Sequence, residues 1–369
     1  ARFIDQKCTP DIVCFMADCV LNLVSTKPIF VINDVWETQY FILNSRVIFN
    51  KPWANNKKAY NEYNKVLSQP LKLLAYSRVL DVKKIRGFLT FSVNNSELLD
   101  YISRKDRNSY NFLYCYLTKV LNDSGFLKHM ETYKTDYVKD LRSARENLYD
   151  KYVQFISGNT PTHSRLDIRR MFHKILNVYA VEHNIPGSNG KFAATFSEMM
   201  YNKKNWRDID KDKSVTRKES QNEYDKEKQE VINSYYIQKA IALIKKTHKV
   251  SEVKDQWGNG DATQVHHIFP QAEFPEIAHY VENLILLTAT QHNTKAHPSN
   301  KTQLINKDYQ LTCLLAKSDS IEKSLRKGEF VYRKESFIFV INTGLTTELD
   351  LRIDFLNIKR ELSIIYNSY

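Results

Sequence analysis

The sequence has little glycine and proline, few cysteines and no long apolar run. Nine glycines and nine prolines occur among 369 residues, which argues against long flexible linkers. No two cysteines form a Cys-x-x-Cys pair, which excludes a zinc ribbon and a thioredoxin-like motif. The odd number, five, argues against a disulfide framework. We therefore expect Cys8, Cys14 and Cys19 to be buried thiols in a reducing compartment.

Several sequence patterns that would assign a location or a chemistry are also missing. No run of about 18 apolar residues occurs and no charged-then-apolar leader opens the sequence, so we expect a cytoplasmic protein without a membrane partner. There is no Gly-x-x-x-x-Gly-Lys-Ser/Thr loop, no Gly-x-Gly-x-x-Gly and no Gly-x-Ser-x-Gly elbow. Nothing in the sequence therefore suggests nucleotide fuel or covalent catalysis.

Positive charge is what the sequence has in excess. The formal net charge is +12, and the sequence pI is about 9.2. Such a surface favours polyanionic partners, because it concentrates them and releases their counterions. Many basic proteins nevertheless bind nothing acidic, so charge alone does not decide between the two interpretations.

The N-terminal third has the order of a DNA-reading module. Apolar spacing predicts helices over Thr9 to Ser25, about Asn33 to Leu43, and Ala59 to Tyr76, followed by strands Val79 to Lys84 and Phe88 to Val93. Three helices and a basic hairpin are the order of a winged helix, in which the third helix enters the major groove. The same order fits other small α+β modules. We assign residues 1–126 as a winged-helix-like DNA-recognition region.

The rest of the chain is predicted to be mainly helical. Residues 127–230 form a helical and charged connecting region, with helices over Tyr133 to Ile156 and Arg165 to Val181 and a mixed-charge stretch from Lys203 to Glu230. Residues 231–369 form a C-terminal lobe, with a predicted strand at Phe337 to Ile341. The expected fold class is α+β, predominantly helical.

In the C-terminal lobe, four of the five histidines in the window between Val265 and His297 belong to one pattern. The window reads Val-His-His-Ile-x-Pro from Val265, Glu-Asn-Leu-x-x-Leu-Thr from Glu282, and His-Asn-x-Lys-x-His from His292. It predicts a strand ending in adjacent histidines, a loop, a second apolar strand and a short helix, within about residues 259–300. The spacing His-His-x15-Asn-x8-His resembles the HNH, or ββα-metal, nuclease motif.

The resemblance implies a role for each polar residue of the motif. Neighbouring side chains on a strand point to opposite faces, so adjacent histidines divide two tasks between them. His266 and His292 occupy the metal-ligand positions. His267 is the general base, a role that suits an imidazole with a pKa near working pH. The backbone carbonyl of Asn283 is expected to align that base. One divalent ion, Mg²⁺ or Mn²⁺, is the implied cofactor, although imidazole also tolerates Zn²⁺, Ni²⁺ or Co²⁺.

The window departs from the family pattern in two ways. Many members hold a structural zinc with Cys-x-x-Cys pairs, whereas here hydrophobic packing must support the hairpin. Some members have a third ligand four residues after the helix histidine, where this sequence has Ala296. Whether His297 or Asn293 joins the metal shell stays open, and Lys295 is either a phosphate contact or a solvated lysine.

The resemblance implies a restriction-type endonuclease that cuts double-stranded DNA in the cytoplasm of a bacterium or archaeon. Such enzymes usually act as homodimers, and a cognate methyltransferase would protect the same site. One alternative is an HNH nuclease with another role, which is modification-dependent, nicking or RNA-cutting. Another is a non-catalytic DNA-binding regulator that retains a vestigial motif.

Overall fold

The computed structural model describes residues 3–49, 54, 60–201, 234–296 and 306–367. These residues are mostly helical, with one three-stranded and one two-stranded sheet. Contacts divide the chain into an N-terminal unit, Ala1–Tyr224, and a C-terminal unit, Asp225–Tyr369. The C-terminal unit contains the whole predicted nuclease region, 231–369. The further division of the N-terminal unit after residue 126 stays a prediction, and the mixed-charge stretch 203–230 lies outside the described residues.

The N-terminal unit begins with helices that surround a small sheet. The elements are α1 (Pro10–Val24), β1 (Ile29–Val31), α2 (Ile32–Trp36), α3 (Gln39–Phe49), α4 (Tyr60–Tyr76), β2 (Leu80–Ile85) and β3 (Phe88–Val93). Strand β3 pairs antiparallel with both β1 and β2, so the sheet order is β1-β3-β2. Arg86 and Gly87 join β2 to β3 with φ of 48° and 87°, both positive, as a two-residue hairpin turn requires.

The sequence predicted most of these elements correctly. Helix α1 and the β2–β3 hairpin are confirmed, and Cys8, Cys14 and Cys19 are buried free thiols. The single helix expected from Asn33 to Leu43 is wrong, because two helices, α2 and α3, occupy this stretch. The Thr38 hydroxyl accepts a hydrogen bond from Phe41 N, 3.1 Å away, and so caps the start of α3.

Five further helices complete the described part of the N-terminal unit before a short 3₁₀ turn at Phe196–Met199. They are α5 (Ser96–Arg104), α6 (Asp106–Asp123), α7 (Leu127–Asp136), α8 (Leu141–Asn159) and α9 (Arg165–His183). The single helix predicted from Ser96 to Leu121 is interrupted at Lys105, whose backbone is extended. The one predicted from Tyr133 to Ile156 is interrupted before Asp140, which caps α8.

The C-terminal unit packs helices around a β-hairpin. Helical residues 234–247 (α10) precede strands β4 (Ala262–His267) and β5 (Leu284–Thr288) and a π-helical turn at Gln291–Ala296. Helices α11 (Lys307–Arg326), α12 (Lys334–Leu345) and α13 (Phe355–Asn367) follow. One hydrophobic cluster joins all of these elements, and every residue of β5 is buried.

The strand predicted at Phe337 to Ile341 is wrong, because this segment lies within α12. Phe337, Ile338, Val340 and Ile341 are fully buried, whereas Phe339 is 45% exposed. In a strand Phe337 and Phe339 would share a face. The observed burial pattern therefore requires a helix, and packing in the cluster has overridden the β-propensity of Ile and Val.

Candidate active site

The histidine window folds as a hairpin followed by a tight turn of helix. Strands β4 and β5 are antiparallel, with His266 opposite Ile285 and His267 opposite Leu284. The turn Gln291–Ala296 then brings the chain back toward the end of β4. This is the order of elements that the sequence predicted for the window. His297 lies outside the described residues.

The hairpin brings the two predicted metal ligands together. The rings of His266 and His292 have centroids 5.4 Å apart, and their planes are inclined at 78°. Two imidazoles that bind one ion at about 2.1 Å have centroids roughly 5 Å apart. The observed separation therefore fits a pair of ligands of one ion. His266 is 5% exposed and His292 is half-buried, so such an ion would reach solvent on the His292 side.

A neighbouring amide favours one tautomer of His292. Its Nδ1 lies 2.9 Å from the side-chain oxygen Oδ1 of Asn293. Because this oxygen can only accept, the contact favours the tautomer with the proton on Nδ1. The lone pair then lies on Nε2, which is the arrangement a metal-binding histidine needs. Asn293 thus lies beside the predicted ligand and orients it.

His267 is held by a different group. Its Nε2 lies 3.0 Å from the carbonyl oxygen of Ala278, in the loop between the two strands. A carbonyl only accepts, so Nε2 carries the proton and Nδ1 is the basic nitrogen. Burial lowers the pKa of His267, and the Ala278 carbonyl opposes this shift. The imidazole is therefore neutral at neutral pH, which is the form that can take a proton from water.

The predicted aligning residue, Asn283, acts on this loop rather than on the ring. Its backbone carbonyl accepts from Ile268 N at 2.9 Å. Its buried side chain bonds both backbone groups of Phe269, at 2.8 and 3.0 Å, and reaches the carbonyl of Ile277 at 3.3 Å. Asn283 therefore ties the residues that follow His267 to the residue that precedes Ala278. Its influence on the base passes through the Ala278 carbonyl.

Sequence reasoning missed Gln291, the residue that fixes the turn carrying His292. The Gln291 side chain is fully buried and makes four hydrogen bonds. Its amide donates to Val253 O and Asp255 Oδ1, and its oxygen accepts from Ser251 Oγ and Thr288 N, all within 2.6–3.1 Å. Most of these partners lie 36 to 40 residues earlier in the chain. No local pattern could have signalled them.

A buried ion pair under β5 was also missed. Lys317 Nζ lies 2.9 and 2.7 Å from the two carboxylate oxygens of Glu252, and both side chains are at most 1% exposed. The Glu252 carboxylate also accepts from Leu286 N at 2.9 Å, while Glu252 N donates to Leu286 O at 3.0 Å. Burial lowers the pKa of Lys317, and Glu252 opposes this shift. The pair extends the hydrogen bonding of β5 into the core.

The remaining candidates in the window have specific neighbours. The Lys295 ammonium lies 4.9 Å from the centre of the Trp257 ring, a cation–π contact on the turn that carries His292. Among the described residues, no group of three or more His, Cys, Asp or Glu could hold a metal ion. The described residues therefore show the two predicted ligands, His266 and His292, side by side without a third ligand of these types.

Comparisons with known proteins identify no relative of this chain. None of the helices in the described part of the chain has the length and hydropathy needed to cross a bilayer. Searches against protein-family models, curated proteins and solved structures find no match to this chain.

Proposed function

We propose that this chain is a metal-dependent, site-specific endonuclease of double-stranded DNA that acts in a bacterial or archaeal cytoplasm. The observation that carries the proposal is the arrangement at the end of β4. The ring centroids of His266 and His292 lie 5.4 Å apart, and the adjacent His267 is held separately by the Ala278 carbonyl. A two-ligand metal site beside a neutral imidazole is the equipment that hydrolysis of a phosphodiester needs.

Each histidine then has its own task. His267, protonated on Nε2, uses Nδ1 to take the proton of the attacking water. His266 and His292 bind the ion, and the Asn293 oxygen keeps the Nε2 lone pair of His292 available. A bound divalent ion would stabilise negative charge on the scissile phosphate and on the leaving oxygen.

The donor set bears on which metal the site takes. Two imidazole nitrogens suit borderline ions better than hard Mg²⁺, which prefers oxygen ligands. We therefore propose one ion per site, with Mn²⁺ supporting cleavage at lower concentration than Mg²⁺. Zn²⁺, Co²⁺ and Ni²⁺ are the comparison ions, because imidazole binds each of them.

The N-terminal unit is proposed to read DNA as a winged-helix-like module. Its first elements run helix, strand, helices, strand, strand, with β3 central in an antiparallel sheet. That order supports the assignment, with α4 as the candidate major-groove helix. Lys65 and Lys72 are exposed on α4, and Lys83, Lys84 and Arg86 are exposed on the hairpin. Cationic side chains on both elements suit contacts with phosphates.

Digestion of long duplex DNA tests the proposal directly. Wild-type protein with Mg²⁺ or Mn²⁺ should give discrete fragments whose sequenced ends share one motif. His267→Ala and His292→Ala should each abolish cleavage while DNA binding persists. His163→Ala is the matched control, because His163 is exposed and lies in the N-terminal unit. Unchanged cleavage by folded His267→Ala protein would refute the site assignment.

Other results of the same digestion identify the alternatives. Cutting only of methylated DNA indicates a modification-dependent enzyme, a single nick indicates a nickase, and RNA degradation indicates an RNA-cutting enzyme. Tight metal-independent binding without any cutting indicates a regulator. Protection of the site by methylation would support a cognate methyltransferase. One metal site cuts one strand, so we also propose a homodimer on DNA, which sedimentation of the complex measures.

A further inference from the structure

A large cavity lies in the N-terminal unit, in a region to which the nuclease proposal gives no task. Its volume is about 890 Å³, within the range of small-molecule sites. The turn that follows α7, helices α8 and α9, and the loop around Gly190 form its walls. All of its lining residues belong to the N-terminal unit, whereas the histidine window belongs to the C-terminal unit.

The cavity has an excess of positive charge. Lys139, Arg145, Arg169 and Lys191 line it, and within the described parts of the chain none of them pairs with a carboxylate. Its two acidic residues are already engaged. Asp140 accepts from Arg142 N, Ser143 N and Ser143 Oγ at the start of α8, and Glu146 pairs with Arg142 at 3.1 Å.

Two polar atoms in the wall lack hydrogen bonds. Arg145 Nε and Ser188 Oγ are both buried and have no partner among the described residues. The Arg145 guanidinium is fixed nevertheless, because its Nη2 donates to Gly190 O at 2.8 Å. Buried polar atoms without partners are rare in native proteins. These two atoms mark a part of the wall whose polar groups are not satisfied within the described protein.

One side of the cavity is aromatic. Tyr149 and Phe172 have ring centroids 5.2 Å apart, and His173 follows at 6.5 Å from Phe172. The Arg169 guanidinium lies 5.8 Å from the centre of the Tyr149 ring. Burial, and then the charge of Arg169, lowers the pKa of His173, so this imidazole is neutral and can both donate and accept. Aromatic rings and guanidinium planes are the surfaces on which nucleic-acid bases stack.

These features together select one kind of ligand. A purely apolar molecule would leave the cations without partners, and an inorganic anion would leave the aromatic wall uncovered. We propose that the cavity binds a nucleotide, with its phosphate on Arg145 and Arg169 and its base against Tyr149 and His173. The nucleotide is either free in solution or extruded from DNA. The binding of a nucleotide extruded from DNA rests on the proposed nuclease function.

Binding of free deoxynucleoside monophosphates tests the ligand class. Titration calorimetry with EDTA present should show binding of at least one monophosphate to wild-type protein, and weaker binding of inorganic phosphate. Arg169→Ala should reduce the affinity about tenfold or more, since it removes a charged hydrogen-bond donor. Arg170→Ala is the matched control. It removes the same charge from the next residue of α9, does not line the cavity, and should change the affinity less than about twofold.

Duplexes that carry 2-aminopurine at successive positions of the cleavage site test the second source. Extrusion of the base should raise its fluorescence with wild type and Arg170→Ala but not with Arg169→Ala. Monophosphate binding without this rise assigns the cavity to a free nucleotide. The proposal is overturned if neither signal occurs, if inorganic phosphate binds as tightly as every nucleotide, or if the two variants behave alike. All these measurements also work in a His267→Ala background, so they do not depend on cleavage.

Discussion

Replacing Lys317 by methionine tests whether the buried ion pair supports the active-site hairpin. The change keeps the length of the side chain and removes its charge, in a site that is fully buried. It leaves the Glu252 carboxylate in the core with one backbone donor, Leu286 N, and with His248 Nε2 3.4 Å away. Tyr332 also loses its contact with the ammonium, although its hydroxyl keeps the 2.6 Å contact with His248.

The expected cost follows from those remaining contacts. Removing one partner of a buried ion pair costs about 3–5 kcal/mol, because the other charge stays desolvated. The Leu286 donor offsets part of the cost here, so we expect about 3 kcal/mol for Lys317→Met. Exchanging Glu252 for glutamine in the same protein should recover most of the loss. The glutamine oxygen can still accept from Leu286 N, and no buried charge remains.

His248 gives this prediction a pH dependence. Burial lowers its pKa, Glu252 raises it and Lys317 lowers it. Without Lys317 the pKa of His248 must rise, so its folded-state value moves toward or above that of the unfolded chain. A protonated His248 then partly replaces the missing ammonium. The stability lost in Lys317→Met should therefore be smaller at pH 5.5 than at pH 8, around the ordinary histidine pKa of about 6.5.

Hydrogen exchange in increasing urea measures these effects where they arise. Peptides that contain Leu284–Thr288 report the opening of the C-terminal unit alone. If Lys317→Met lowers the free energy of unfolding by less than about 1 kcal/mol, the Glu252 carboxylate is not fully desolvated in the core. A double variant no more stable than Lys317→Met would show that packing, rather than charge, is what the lysine contributes.

Three further changes test other parts of the site. Gln291→Ala removes four hydrogen bonds that fix the turn carrying His292. The Mn²⁺ affinity should therefore fall roughly 10- to 100-fold in titration calorimetry. An unchanged affinity would refute the positioning role of Gln291. Because burial lowers the pKa of His267, cleavage at saturating metal should lose activity only below about pH 6.5, and an acid limb above about pH 7 contradicts a neutral base. Gly344→Ala should lower stability by about 1–3 kcal/mol in thermal unfolding, because its Cβ would lie within 2.5 Å of Cγ and Cδ1 of the buried Phe269 ring. An unchanged melting temperature would mean that this ring can move.

The sequence predicted those parts of the fold whose signals are local. The β2–β3 hairpin was predictable because two alternating strands flank Arg86 and Gly87, and α1 because a proline opens an amphipathic run. The break at Lys105 was missed, although the seven polar residues 103–109 interrupt the apolar spacing there. The apolar run from Phe337 to Ile341 has too little periodicity of its own to distinguish a strand from a helix. Packing in the hydrophobic core of the C-terminal unit makes this segment a helix.

The candidate site divides in the same way. The positions of His266, His267 and His292 in a strand–strand–turn order could be predicted, because the motif lies in one continuous window. The Ala278 carbonyl that contacts His267 could not, because a backbone group has no sequence signal. Gln291 was equally hidden, since its meaning depends on partners that reach it only in the folded chain.

The polar contacts explain how the hairpin can be held without a cysteine-bound zinc. Hydrophobic packing fixes β5, but it cannot specify the direction of a ring at the edge of the sheet. Each predicted catalytic or ligand position has its own buried polar anchor. Glu252 fixes Leu286, which follows the strand partner of His266. Asn283 fixes the loop that carries the Ala278 carbonyl. Gln291 fixes the turn that carries His292. Because the side chains of Gln291 and Asn283 bond different residues, their loss should give separable defects. A change at Gln291 should weaken metal binding and spare the pH profile, whereas a change at Asn283 should alter the pH profile at saturating metal.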